Sequence, residues 1–290
     1  MDTPRPVVVA VGRRGSGAAL EYAALECLRR GVGLHVVHAA GPGEGDEERM
    51  RDGAAVVAAA LDGVADLLPA RVPVTSTLAL SAAVPAVVAA ATEAPLVVVG
   101  RCPESRWTHP YVRSVTGGVA ARVPSPVVSV PDDWPGGTPR VVVGVDDPED
   151  SAEVLLEAFA AACALGARLT VVSTWWRAPG TGDRALSQVE DRARSEHLSD
   201  AIERALADLR PAYDDVPVEV QVRNARPGEA LIETSAGAAL CVLGRHDPLL
   251  PVGSRLGPVA RSVLREASCP VLLAAPRHAH RVHSQQARLA

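Results

Sequence analysis

PVVVAVG at residues 6–12 decides the fold, because it is written a second time as RVVVGVD at residues 140–146. Its centre, VVVAV (7–11), is a continuous apolar run, the pattern of a strand buried on both faces. Working outward, three further β-rich runs recur in the same order. LHVVHA (34–39) answers LTVVST (169–174), LVVVGR (96–101) answers LCVLGR (240–245), and SPVVSV (125–130) answers CPVLLA (269–274). VPV at 72–74 returns at 216–218. The second copy lies 134 or 135 residues on for the first two strands and 144 for the others. It therefore carries an insertion of about nine residues between its second and third strands, and WWRAPGTGD (175–183) is the visible candidate. Five ordered coincidences mark an internal duplication.

Between the strands the period changes to that of a helix. Ala19, Leu20, Ala23, Ala24, Cys27 and Leu28 form one helical stripe in the first copy, and Leu198, Ile202, Ala205, Leu206 and Leu209 form one in the second. Strands alternating with helices predict α/β architecture: two tandem five-stranded parallel sheets with helices on both faces. The expected domains are 1–130 and 140–275. PDDWPGGTP (131–139) reads as a turn-rich linker, and residues 276–290, without apolar periodicity, as a frayed tail.

Composition narrows the function. Of 290 residues 48% are hydrophobic and 22% charged, as in a soluble globular chain. A net charge of −5 argues against a nucleic-acid-binding body. All basic residues are arginine, which removes the Walker lysine and every lysine nucleophile. With four Trp, three Tyr and one Phe, the core must be Ala, Val and Leu. No secretion signal or membrane span is expected. Five widely spaced cysteines without a CxxC suggest reduced thiols in a cytoplasm and no zinc site.

In an open parallel sheet, ligands bind beyond the carboxyl ends of the strands, where the strand order reverses. The loops of interest follow the first and fourth strands of each copy. In the second copy these are Asp146, and Gly244 followed by RHDPLLPVGSRL up to Gly257, where the helix PVARSVLREA begins. Glycines at both edges of such a loop let backbone amides approach a phosphate, and the helix start adds positive potential.

On these features the chain, from about residue 5 to residue 275, resembles the universal stress protein family in its tandem form. The resemblance rests on the end of strand one, on the strand-four motif Gly-x2-Gly-x9-Gly-Ser, and on a final strand written Cys-Pro-Val. It implies the adenine nucleotide alpha hydrolase-like fold. Nucleotide-binding members hold ATP with an aspartate after strand one and the glycine motif, and they commonly pair through their last strands. The resemblance thus implies a second-copy site for ATP or another adenine nucleotide, made of Asp146, Gly244, Arg245, His246, Gly257 and Val259. It implies a degenerate first site of Gly12, Gly100, Ser114 and Thr116. The second copy departs from the motif at Asp247 and Pro258. The first departs at Gly12, which replaces the aspartate, and at Pro103 and Arg113.

Each of these residues also has a plainer reading. Asp146 could be a turn or N-cap residue, and the glycines could serve tight turns. Arg113 reads better as a solvated surface group. Trp175 and Trp176 could stack a base or a partner, but more naturally cover the insertion or a domain interface. His35 and His38 fall on opposite faces of their strand and form no metal pair, and His278, His280 and His283 lie in the tail. GSGAAL (15–20) is a weak dinucleotide signal. No catalytic constellation is visible. The expectation is a non-enzymatic cytoplasmic stress-response or regulatory protein that binds an adenine nucleotide weakly through its second copy. No metal, nucleic acid or membrane is expected. The two copies should pair with each other near Val127 and Val271, with a homodimer and an unidentified protein partner left open. The alternatives are an interaction scaffold that has lost nucleotide binding, and a weak nucleotide hydrolase.

Overall fold

A computed structural model of the chain describes residues 4–13, 16–101, 115–176, 184–245 and 256–275. The backbone divides into two compact units. Among the described residues, one takes in those up to Pro135 together with Leu256 and Ala275, and the other takes in Gly136–Arg245 and Gly257–Ala274. In the first unit the order is β1 (Val7–Val11), α1 (Gly17–Arg30), β2 (Leu34–Ala39), α2 (Asp46–Ala65), β3 (Val74–Ala79), α3 (Ala83–Ala90), β4 (Val97–Arg101), α4 (Val115–Ala120) and β5 (Val127–Pro131). In the second it is β6 (Thr138–Gly144), α5 (Ala152–Leu165), β7 (Arg168–Trp175), α6 (Arg184–Ala207), β8 (Val218–Asn224), α7 (Pro227–Thr234), β9 (Ala238–Leu243), α8 (Pro258–Glu266) and β10 (Val271–Leu273).

Strand order within the first unit is β3-β2-β1-β4-β5, and within the second β8-β7-β6-β9-β10. The strand pairs within each unit are parallel. The duplication extends to the hydrogen-bond register. Val7↔Leu34 recurs as Val141↔Leu169, and Val8↔Val97 as Val142↔Cys241. Leu34↔Val74 recurs as Leu169↔Val218, and Val97↔Val127 as Cys241↔Val271. A one-residue slip would turn every side chain to the opposite face, so matching registers mean matching cores.

The first strand of each copy is central and covered on both sides. Val7, Val8 and Val9 are buried, as are Val141, Val142 and Val143. On one face of the first sheet lie α1 and α2; on the other α3 packs against α4. In the second unit a Cβ built on Gly244 would point at Val154 of α5, and one on Gly144 at Leu231 of α7. Hence α5 and α7 cover opposite faces, and α8 packs against α7. The outer strands are polar where they meet water: β3 exposes Thr75, Ser76 and Thr77, and β8 alternates Val218, Val220 and Val222 with Glu219, Gln221 and Arg223. Both first helices end in the same device. Gly31 (φ 65°) and Gly166 (φ 56°) take the left-handed conformation that releases the chain into the next strand.

Two expectations change. Leu28 is 43% exposed, because one further residue carries the stripe about 100° round the helix from buried Cys27. The linker is shorter than 131–139. β5 runs to Pro131, and Thr138 already donates its backbone N–H to Gly237 O at 2.9 Å, so six residues (132–137) connect the strands. Of the second stripe, Ile202 and Leu206 are fully buried and Leu198 and Ala205 half-buried on α6, while Leu209 lies beyond the helix end and is half-buried. The tail 276–290 lies outside the described residues, as do 177–183 of the insertion.

Candidate functional site

In the second unit the chain runs from β6 outward through β7 and β8, then crosses to β9 on the other side. This reversal opens a crevice beyond the C-terminal ends of β6 and β9. Val145 closes β6 by donating its N–H to Val172 O at 2.9 Å, and Asp146 follows as an exposed residue. The turn into α5 is made by its neighbour: Asp147 Oδ1 accepts from Glu149 N at 3.0 Å, and Ser151 holds the N-cap position. The plainer reading of Asp146 as cap thus gives way to Asp147 and Ser151.

Gly244 stands at the end of β9, outside the left-handed region, and a Cβ there would meet only Val154 at 4.0 Å. Gly257 is the N-cap of α8 at φ −66°, and a Cβ there would meet nothing within 4 Å. Neither glycine is required by backbone conformation or by crowding among the described residues. Pro258 occupies the first turn of α8 and contributes no donor, which leaves the N–H groups of Val259 and Ala260 as the outward-facing donors of that helix start. Arg245 is 7% exposed and donates Nε–H to Ala274 O at 2.6 Å, bracing β9 against the chain end that follows β10. His246 and Asp247 lie outside the described residues.

The corresponding crevice of the first unit is built differently. Gly12 ends β1 without a carboxylate, and its N–H donates to Ser16 Oγ at 3.2 Å. At the end of β4, a Cβ on Gly100 would come within 3.1 Å of Asp132 Oδ1 and 3.4 Å of Ser16 Oγ. Sequence reasoning assigned no role to Asp132; only the DD pair after β5 signalled a carboxylate there. Burial and the neighbouring Asp133 push the Asp132 carboxyl above its ordinary value, with Arg101 opposing. Thr116 is buried, and its hydroxyl lies 3.5 Å from Ser129 Oγ on β5. Ser114, Pro103 and Arg113 lie outside the described residues. His38 is buried with Nδ1 2.9 Å from Val11 O, while His35 bonds Thr75 and Thr77 on β3. The two rings face apart, and among the described residues no cluster of His, Cys, Asp and Glu could hold a metal ion.

The two tryptophans separate. Trp175 is buried, donates Nε1–H to Ser195 Oγ at 3.1 Å and lies under Arg194. Trp176 is 50% exposed with the Arg226 guanidinium 5.4 Å from its ring centre.

Comparison with known proteins bears on both units. The family described as the universal stress protein family matches residues 137–275. A universal stress protein of Mycobacterium tuberculosis is 30% identical, over 94% of this chain and 99% of its own length. A second from the same species is 28% identical over 69% of this chain and 67% of its length. A crystal structure of a universal stress protein from Archaeoglobus fulgidus superposes with a TM-score of 0.61 at 15% identity, covering 92% of this chain and 97% of that one. A functionally unknown protein from Pseudomonas aeruginosa gives 0.61 at 18% identity, with 97% and 98% covered.

Proposed function

Because the chain belongs to the universal stress protein family, we propose that it is a non-enzymatic stress-response or regulatory protein whose second unit binds an adenine nucleotide weakly. The observation that carries this reading is the convergence at the end of β6 and β9. An exposed carboxylate, Asp146, two glycines that the described backbone does not itself need, and the open start of α8 meet at one reversal of strand order. The carboxylate suits the hydroxyls of a ribose or the amino group of a base. The Val259 and Ala260 amides and the helix dipole suit phosphate. Pro258 removes one donor from that set and Asp247 adds a like charge to the loop, each a loss of about 1 kcal/mol. The first unit has no strand-one carboxylate, and Asp132 brings negative charge to the end of β4.

Calorimetric titration with ATP, ADP and AMP tests the reading, with phosphate release followed in parallel. The expected result is weak binding with one site per chain, lost in Asp146→Ala, strengthened in Pro258→Ser, and no turnover. Two equivalent sites, or turnover that disappears in Asp146→Ala, would contradict it. No binding of any of the three would favour a scaffold instead.

A further inference from the structure

We propose that Trp176 is the platform on which the base of that nucleotide stacks, with Arg226 holding the indole ring in place; the inference rests on the nucleotide reading above. Half of the Trp176 surface is open to water, in a chain with only four tryptophans. Its neighbour Trp175 points to the opposite face, buried and hydrogen-bonded to Ser195 of α6. Trp175 therefore supplies the packing that an aromatic pair at the end of β7 would provide, and Trp176 is left without that task.

Its position fits a ligand. Gly144 and Val172 are register partners on β6 and β7, and the Cβ direction at Gly144 runs toward Leu231 of α7. The two-residue period of a strand carries this face on to the ends of β6 and β7. Arg226, the N-cap residue of α7, lies over Trp176 and confirms that the ring is on the α7 face. α7 packs against α8, with a Cβ on Gly228 reaching 3.4 Å from Ser262, so the N-terminus of α8 opens on the same face. One face at one end of the sheet thus presents a flat aromatic ring, backed by Arg226 that also pairs with Glu229, and helix N–H groups, with the Asp146 carboxylate at the adjoining strand end. These match the flat base, the phosphates and the sugar of a purine nucleotide. The first unit lacks the platform: the position that matches Trp176 there is Gly41, two residues beyond β2.

The test titrates the full chain and its Trp176→Ala and Trp176→Phe variants with ATP, CTP and inorganic tripolyphosphate. Loss of one base–aromatic stack weakens ATP binding by about ten-fold or more in Trp176→Ala. Trp176→Phe should keep most of the affinity, and tripolyphosphate should bind all three proteins alike. The wild-type preference for ATP over CTP should shrink in Trp176→Ala. ATP binding equally to wild type and Trp176→Ala would overturn the platform and leave the nucleotide reading standing. Equal losses in the Phe and Ala variants would also overturn it, since a ring would then be irrelevant. A wild-type protein that binds no ATP would remove both. Thermal unfolding of each variant establishes that the fold is retained.

Discussion

Asp132 shows what one misplaced carboxylate does to a fold. Its carboxyl is held above the ordinary value of 3.8 by burial and by Asp133. As pH rises past 3.8 the unfolded chain releases its proton first, so the folded state loses stability until Asp132 itself has ionised, and the deficit persists at neutral pH. Asp132→Asn should therefore raise the midpoint of thermal unfolding at pH 7 and leave it unchanged below pH 3.8. The residue is exposed overall, so the gain is small. A lower midpoint for the variant at pH 7 would show that its partner Arg101 outweighs burial. Gly137 makes the opposite point. A Cβ there would lie 2.4 Å from Ala238 O and 2.6 Å from neighbouring backbone atoms of β9. Neither strand can yield without breaking its ladder, so Gly137→Ala should destabilise by about 1–3 kcal/mol in urea unfolding. None of this was legible in the sequence, where Gly137 is one of two adjacent glycines and Asp132 one of two adjacent aspartates.

At the scale of elements, α5 carries the aromatic packing of the second unit. Phe159, the single phenylalanine, is fully buried and stacks on Tyr213 with ring centres 5.2 Å apart. Phe159→Ala should cost about 3–5 kcal/mol, and Phe159→Leu much less, because Leu retains most of the volume. Equal effects of the two in equilibrium unfolding would mean that the stack, rather than the filled space, stabilises the helix. The stripe on α1 was readable from spacing alone, apart from its last member. Leu28 failed because a stripe read from sequence has no sharp edge, and only packing sets where burial ends: Cys27 is fully buried and Leu28 is 43% exposed.

For the whole molecule, repetition is the governing fact. Each strand register of the first unit returns in the second, so the two cores were built from one plan. β5 and β10 come last in the strand orders of their units and are apolar, with Val127, Val128 and Val130 in one and Val271, Leu272 and Leu273 in the other. Open apolar edges invite association, and pairing these two strands with each other would remove both. In hydrogen exchange on the full chain, that proposal predicts slow exchange at every amide of Val127–Val130 and Val271–Leu273. Rapid exchange at alternate amides in both strands would show two unpaired edges. The sequence by itself determined the duplication, the parallel α/β class and the strand centres, because periodicity and repetition are properties of the chain that no packing can reverse. It also carries the residue difference on which the proposed second-copy site rests, Asp146 where the first copy has Gly12. Only the tertiary structure decided that Asp132 lies at Gly100, that Thr116 turns inward to Ser129, and that Trp175 and Trp176 part to opposite faces. Those outcomes depend on which strand ends meet in space, and the distance between residues 100 and 132 along the chain says nothing of their contact across a sheet.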